Sequence, residues 1–115
     1  MAVNQTTDAL LLVEIANNDC VILKYHTDEC GEPCNELVPV FQKLSEESRF
    51  KDITFLQINA DNNPVAKHYI LNKKAPIITV YYKGRLLESK TVNTETEMVN
   101  LLQVLTNEKY KIKPN

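Results

Sequence analysis

Apolar residues recur along this chain with two different periods, and the switches between them divide it into short alternating elements. Residues 9–16, ALLLVEIA, follow three good cap residues, Thr6, Thr7 and Asp8, and stop at Asn17, Asn18 and Asp19, which predicts a helix. Residues 20–26, CVILKYH, open with a near-continuous apolar run and predict a strand buried on both faces. Residues 27–33 are a polar turn containing Gly31 and Pro33. After it, Leu37, Val38, Phe41 and Leu44 recur at helical spacing and predict a helix from Cys34 to about Ser48. Pro39 lies inside that helix, removes one backbone donor and should kink it.

Residues 53–59, ITFLQIN, alternate as a strand does. Asp61, Asn62, Asn63 and Pro64 then open a short helix with Val65, Ala66, Tyr69 and Ile70 as its packed face. Residues 76–82 form a third strand rich in Ile, Val and Tyr. Lys83-Gly84-Arg85 is a tight turn, and residues 86–92 run back as its partner. Thr94 caps a last helix that packs Met98, Leu101, Leu102 and Leu105, and residues 108–115 read as a polar, frayed tail. Residues 2–5 offer one more short edge strand. Strands alternating with helices predict an α/β fold: a central mixed sheet of four to five strands, one edge antiparallel, with helices on both faces. At 115 residues the chain suits one domain spanning 1–115.

Charge narrows the field. Thirteen basic and fifteen acidic residues leave a net charge of −2, which is not the basic footprint of a nucleic-acid binder. The first eight residues, MAVNQTTD, lack the pattern of a secretory leader. The longest apolar run, residues 9–13, is too short to cross a bilayer. The expected location is the cytoplasm, with no membrane partner.

The three cysteines do not suit a disulfide-scaffolded secreted domain. Cys20 stands alone in an apolar segment and reads as a small buried hydrophobe. Cys30 and Cys34 lie close together and point to redox or metal chemistry.

At these residues the chain resembles the thioredoxin family. A buried strand, VILKY, leads into a cysteine pair at the start of a helix. Pro39 sits five residues after Cys34, where the family has its helix-kinking proline. The segment FLQINADNNPVAKHYILN is similar to the family's third strand and following helix. Ala75-Pro76 matches the proline that precedes the next strand, and Tyr82-Lys83-Gly84 the hairpin turn. The resemblance implies the thioredoxin fold, with a cis peptide bond before Pro76. It also implies a thiol–disulfide oxidoreductase acting on protein disulfides, with Cys30 as nucleophile and Cys34 as resolving thiol. Gly31, Glu32, Pro33, Ala75 and Pro76 would then meet substrate. Such a protein needs no cofactor, draws electrons from a thioredoxin-reductase-like donor and works as a monomer.

The departures from the family pattern are equally specific. The family motif is Trp-Cys-Gly-Pro-Cys; here Glu29-Cys30-Gly31-Glu32-Pro33-Cys34 has one extra residue between the thiols. Glu29 replaces the aromatic, Lys24 stands where the family has a buried acid, and His26 stands at a family tryptophan. Where the family has a glycine after the last strand, this chain has Val92 or Asn93. A disulfide requires Cα atoms roughly 4.4–6.8 Å apart, a distance this longer loop can reach if it bulges. A helix start favours the Cys30 thiolate, whereas Asp28, Glu29 and Glu32 oppose it. Lys24 reads first as snorkelling to solvent or pairing with an acid. It would tune or move a proton only as a desolvated, neutral amine. Two alternatives remain beside the enzyme: a protein-binding module with weak or no redox activity, and a copper(I) or zinc site built from Cys30, Cys34 and His26.

Overall fold

The computed structural model describes residues 3–109. The strands are β1 (Val3–Gln5), β2 (Cys20–His26), β3 (Thr54–Asn59), β4 (Ile77–Tyr82) and β5 (Arg85–Thr91). The α-helices are α1 (Asp8–Asn17), α2 (Glu32–Ser45), α3 (Pro64–Ile70) and α4 (Glu95–Lys109). Short 3-10 turns cover Asp28–Cys30, Ser48–Phe50 and Ala60–Asn62. The sheet order is β1-β3-β2-β4-β5. β1, β3 and β2 are parallel, and β4 and β5 are antiparallel additions, so the sheet is mixed. The edge strand at residues 3–5 is present; Ala2 lies outside the described residues.

The period of two along β2 sorts its side chains between two cores. Cys20 and Ile22 join Leu37, Phe41, Leu44, Met98, Leu101, Leu102 and Leu105 on the face covered by α2 and α4. Val21, Leu23 and Tyr25 join Ile15, Ala66 and Ile70 on the face covered by α1 and α3. β2 lies at the centre of the sheet, and its first six residues are all buried. Its carboxyl end delivers the chain to the cysteine turn.

Several expectations need correction. Helix α2 begins at Glu32 rather than Cys34 and ends at Ser45, with Pro39 inside it. A separate 3-10 turn then places Phe50 in the core. Val38 is 51% exposed and Val65 70% exposed, although helical spacing placed both on packed faces. Glu108 belongs to α4 and pairs with Arg85 at 2.8 Å, so the helix extends into the expected tail; residues 110–115 lie outside the described residues. The β4–β5 turn has Lys83 at φ 50° and Gly84 at φ 84°, the paired positive values that suit a two-residue hairpin.

Helices α3 and α4 start under side-chain caps. Thr94 Oγ1 accepts from the Glu97 N–H at 3.1 Å, while Glu97 Oε1 accepts from the Asn93 N–H at 3.0 Å. At α3 the cap comes from another helix. The Asp8 carboxylate accepts from the Val65 and Ala66 N–H groups at 2.8 and 3.0 Å. Asn63 Oδ1 in turn accepts from the Asp8 N–H at 2.9 Å, so the starts of α1 and α3 hold each other.

Candidate active site around Cys30 and Cys34

Thr27, just past the end of β2, turns the chain. Its hydroxyl and its carbonyl both accept from the Cys30 N–H, at 3.1 and 3.3 Å. The Asp28 N–H donates to Asp61 Oδ2 at 2.8 Å, which ties this turn to the segment after β3. Gly31 follows at φ 67°, ψ −134°, a combination L side chains rarely adopt. The 3-10 turn and this glycine accommodate the extra residue between the thiols. Cys30 and Cys34 are joined in a disulfide with their Cα atoms 5.7 Å apart. Cys34 is 5% exposed, whereas Cys30 is half-buried and reaches the surface. The start of α2 has no side-chain cap, Pro33 brings no N–H, and the Asn35 N–H donates to the Gly31 carbonyl at 3.0 Å.

Two hollows flank the disulfide. One, of about 440 Å³, is lined by Cys30, Pro33 and Ala75 together with residues from α3 and the loop after it. The Ala75–Pro76 peptide is cis, Ala75 is half-buried, and Pro76 is buried. The other, of about 340 Å³, is lined by Lys24, His26, Gly31, Cys34 and Val38, with Gln5 and Gln57 at its edge. The structure therefore brings Cys30, Pro33 and Ala75 to one side of the disulfide and Lys24, Gly31 and Cys34 to the other. Glu32 is exposed and lines neither hollow.

Lys24 departs from the expectation that it would snorkel or pair with an acid. It is 1% exposed, its Nζ lies 5.4 Å from the centre of the Phe41 ring, and no acid lies close enough to shift its titration. Burial alone pushes its pKa down to about 8. Lys24 shares a strand face with Ile22, which explains the burial: the face continues into the α2 core. His26, two residues on, is held below the usual histidine range, first by burial and then by the Lys24 charge; Asp28 and Asp61 partly oppose this. The ligand set Cys30, Cys34 and His26 is not assembled. The two sulfurs are bonded to each other, and among the described residues no cluster of three or more His, Cys, Asp or Glu could hold a metal ion. Cys20 is 2% exposed, on the core face covered by α2 and α4.

Sequence reasoning missed three features of this site: the Asp61 acceptor, the exposure of Val38, and the lysines that border the larger hollow. Each depends on residues brought together from separate elements.

Comparisons with known proteins agree with this architecture. The thioredoxin family model matches residues 2–107, and the chain belongs to that family. It is 32% identical to thioredoxin of Porphyra purpurea over 91 residues, covering 77% of this chain and 82% of that one. It is 28% identical to chloroplastic thioredoxin F of Oryza sativa over 96 residues, covering 82% of this chain and 49% of that one. Among solved structures, Malassezia sympodialis thioredoxin superposes with a TM-score of 0.79 at 15% identity, covering 92% of this chain and 95% of that one. A mutant thioredoxin from Halobacterium salinarum gives a TM-score of 0.77 at 22% identity, covering 97% of this chain and 94% of that one. These structural likenesses establish the fold.

Proposed function

We propose that this protein is a thiol–disulfide oxidoreductase that reduces disulfides of other proteins through Cys30 and Cys34. The observation that carries this reading is the asymmetry of the disulfide. One sulfur is accessible in a groove shared with Ala75, and the other is buried beside Lys24. In the reduced protein the Cys30 thiolate attacks a substrate disulfide. It forms a mixed disulfide and releases one substrate thiolate. Cys34, as thiolate, then attacks Cys30 Sγ, which regenerates the internal disulfide and releases the second substrate thiol. Two electrons pass from the dithiol to the substrate, and an external dithiol donor of the reductase class restores them.

Lys24 supports the second step. Cys34 must lose its proton inside the protein, and a lysine whose pKa is about 8 supplies a neutral amine to take it. The neutral form becomes available as pH rises toward about 8, well below the ordinary lysine range. Resolution of the mixed disulfide is therefore expected to accelerate with pH, and Lys24→Met to slow it near pH 8 and shift the rise to higher pH, where Cys34 ionises unaided. Family resemblance supports the backbone beside Pro76 as the contact for an extended substrate segment. The extra loop residue does not keep the thiols apart, because their Cα separation is within the disulfide range.

The test is insulin reduction with a chemical dithiol donor, together with a Cys34→Ser variant. The wild type should turn over, and the variant should accumulate client proteins bound covalently through Cys30. Turnover equal to that of the Cys30→Ser/Cys34→Ser protein, with only non-covalent partners retained, would favour a binding module instead.

A further inference from the structure

The larger hollow beside Cys30 is divided by charge. Its lining takes Lys67 from α3 and Lys73 and Lys74 from the loop that follows; it takes Glu29, which adjoins Cys30 in sequence, and Asp61, which is tied to the cysteine turn by its bond to the Asp28 N–H. Leu71, 58% exposed, lies between Lys67 and Lys73 in sequence and gives the same lining an exposed apolar side chain. None of the three lysines enters an ion pair among the described residues. The loop that presents them is pinned rather than loose. Asn72 takes a positive φ of 68°, the Lys73 N–H donates to the Ile70 carbonyl at 2.8 Å, and the Lys74 carbonyl accepts from the Thr91 hydroxyl. Lys73 Nζ donates to the Tyr69 carbonyl at 2.9 Å and lies 4.8 Å from the Tyr69 ring centre, so its charge is held in place.

We propose that this groove selects its protein substrates by charge. The favoured client carries an apolar residue and acidic residues on the stretch that lies over Leu71 and the lysines, and no acidic residue immediately at its cysteine. The inference deepens the oxidoreductase reading and rests on it. Unpaired charges of one sign along a cleft concentrate ligands of the opposite sign and speed encounter, with a steep dependence on salt. Glu29 and Asp61 supply the opposing term that repels a uniformly acidic chain, so the recognition is positional and not a matter of net charge alone.

The experiment uses the reduced full chain and synthetic peptides whose single cysteine is held in a mixed disulfide with a chromogenic aromatic thiol. Three acidic residues are placed a few positions before or after the cysteine, with basic and uncharged counterparts. At low salt, one acidic placement should react about tenfold faster than its basic counterpart. The ratio should approach one in 1 M salt, where the Debye length falls to about 3 Å. The triple reversal Lys67→Glu, Lys73→Glu and Lys74→Glu should invert the preference. A matched triple reversal at Arg49, Lys51 and Lys83, at the opposite end of the sheet, should not. Equal rates across the charge series, with every peptide reduced, would overturn the inference and leave the oxidoreductase reading intact. If no peptide is reduced, that reading fails. Binding of fluorescent, cysteine-free peptides to the Cys30→Ser/Cys34→Ser protein then decides the charge question: preference for the acidic peptide upholds it, and indifference overturns it.

Discussion

Helices α2 and α4 both pack on the same face of the sheet, yet their starts are built in opposite ways. At α4, Thr94 and Glu97 take up the backbone donors locally; α3, on the other face, borrows the carboxylate of Asp8 for the same purpose. At α2 the position is held by Gly31 and no side chain caps the helix. The difference separates scaffold from site. At the capped starts side chains satisfy helix donors, Glu97 at α4 and Val65 and Ala66 at α3, which stabilises the fold. At the uncapped start no side chain takes up the positive end of the helix dipole, and Cys34 sits in the first turn, where that end favours a thiolate. Near that start the protein also keeps a buried cation at Lys24, which lowers stability, and a backbone conformation at Gly31 that a side chain could adopt only with strain.

The largest expected effect tests this contrast from the site side. Replacing Lys24 by Met should stabilise the fold at pH 7, by at most about 3 kcal/mol. The sign follows from linkage. The folded-state pKa, about 8, lies below the ordinary 10.5. Below pH 8 the lysine is charged in both states and the full burial penalty applies. Between pH 8 and 10.5 the unfolded chain binds more protons, so wild-type stability rises with pH and the advantage of Met shrinks. Urea titrations at pH 7 and pH 10 measure it, and an unchanged difference between the two would refute the buried-cation account. Gly31→Ala comes next. No atom blocks a Cβ there, so the loss of about 2 kcal/mol is purely conformational and should appear in thermal unfolding of the oxidised protein.

The scaffold side should respond with smaller losses and no loss of chemistry. Asp8→Ala removes two charge-assisted bonds to α3 and should cost about 1.5 kcal/mol by denaturant titration. Thr94→Ala should cost about 1 kcal/mol. Both variants should keep wild-type rates of insulin reduction. A cap variant that lost activity in proportion to stability would dissolve the distinction between the two kinds of helix start.

Much of this was legible in the pattern of residues. The buried central strand, the face Met98–Leu101–Leu102–Leu105 and the Thr94 start are local signals, carried by period and by cap chemistry. What escaped was non-local. Asp8 and Ala66 are bonded across 58 positions of sequence, and no window along the chain joins them. Lys24 reads as polar and therefore solvent-seeking. Its burial is decided by Phe41, which reaches it only once α2 is laid across the sheet. Val38 has helical spacing but faces the hollow beside Cys34, where the sheet offers it no partner. The extra loop residue was visible, but not its remedy, since the Gly31 backbone and the 3-10 turn are properties of the folded turn.

The position of β2 has a consequence for how the molecule opens. Val21 through His26 pair with β3, and Cys20 through Tyr25 with β4, so this strand can come loose only with the sheet. Immediately past His26 the backbone is held by few bonds, locally from Cys30 to Thr27 and across the fold from Asp28 to Asp61. Amide hydrogen exchange should therefore show a sharp step at the boundary between His26 and Thr27, slow before it and fast after it. Reduction of the disulfide should alter only the fast side, so that the redox event is felt in the turn while the strand beneath it stays closed.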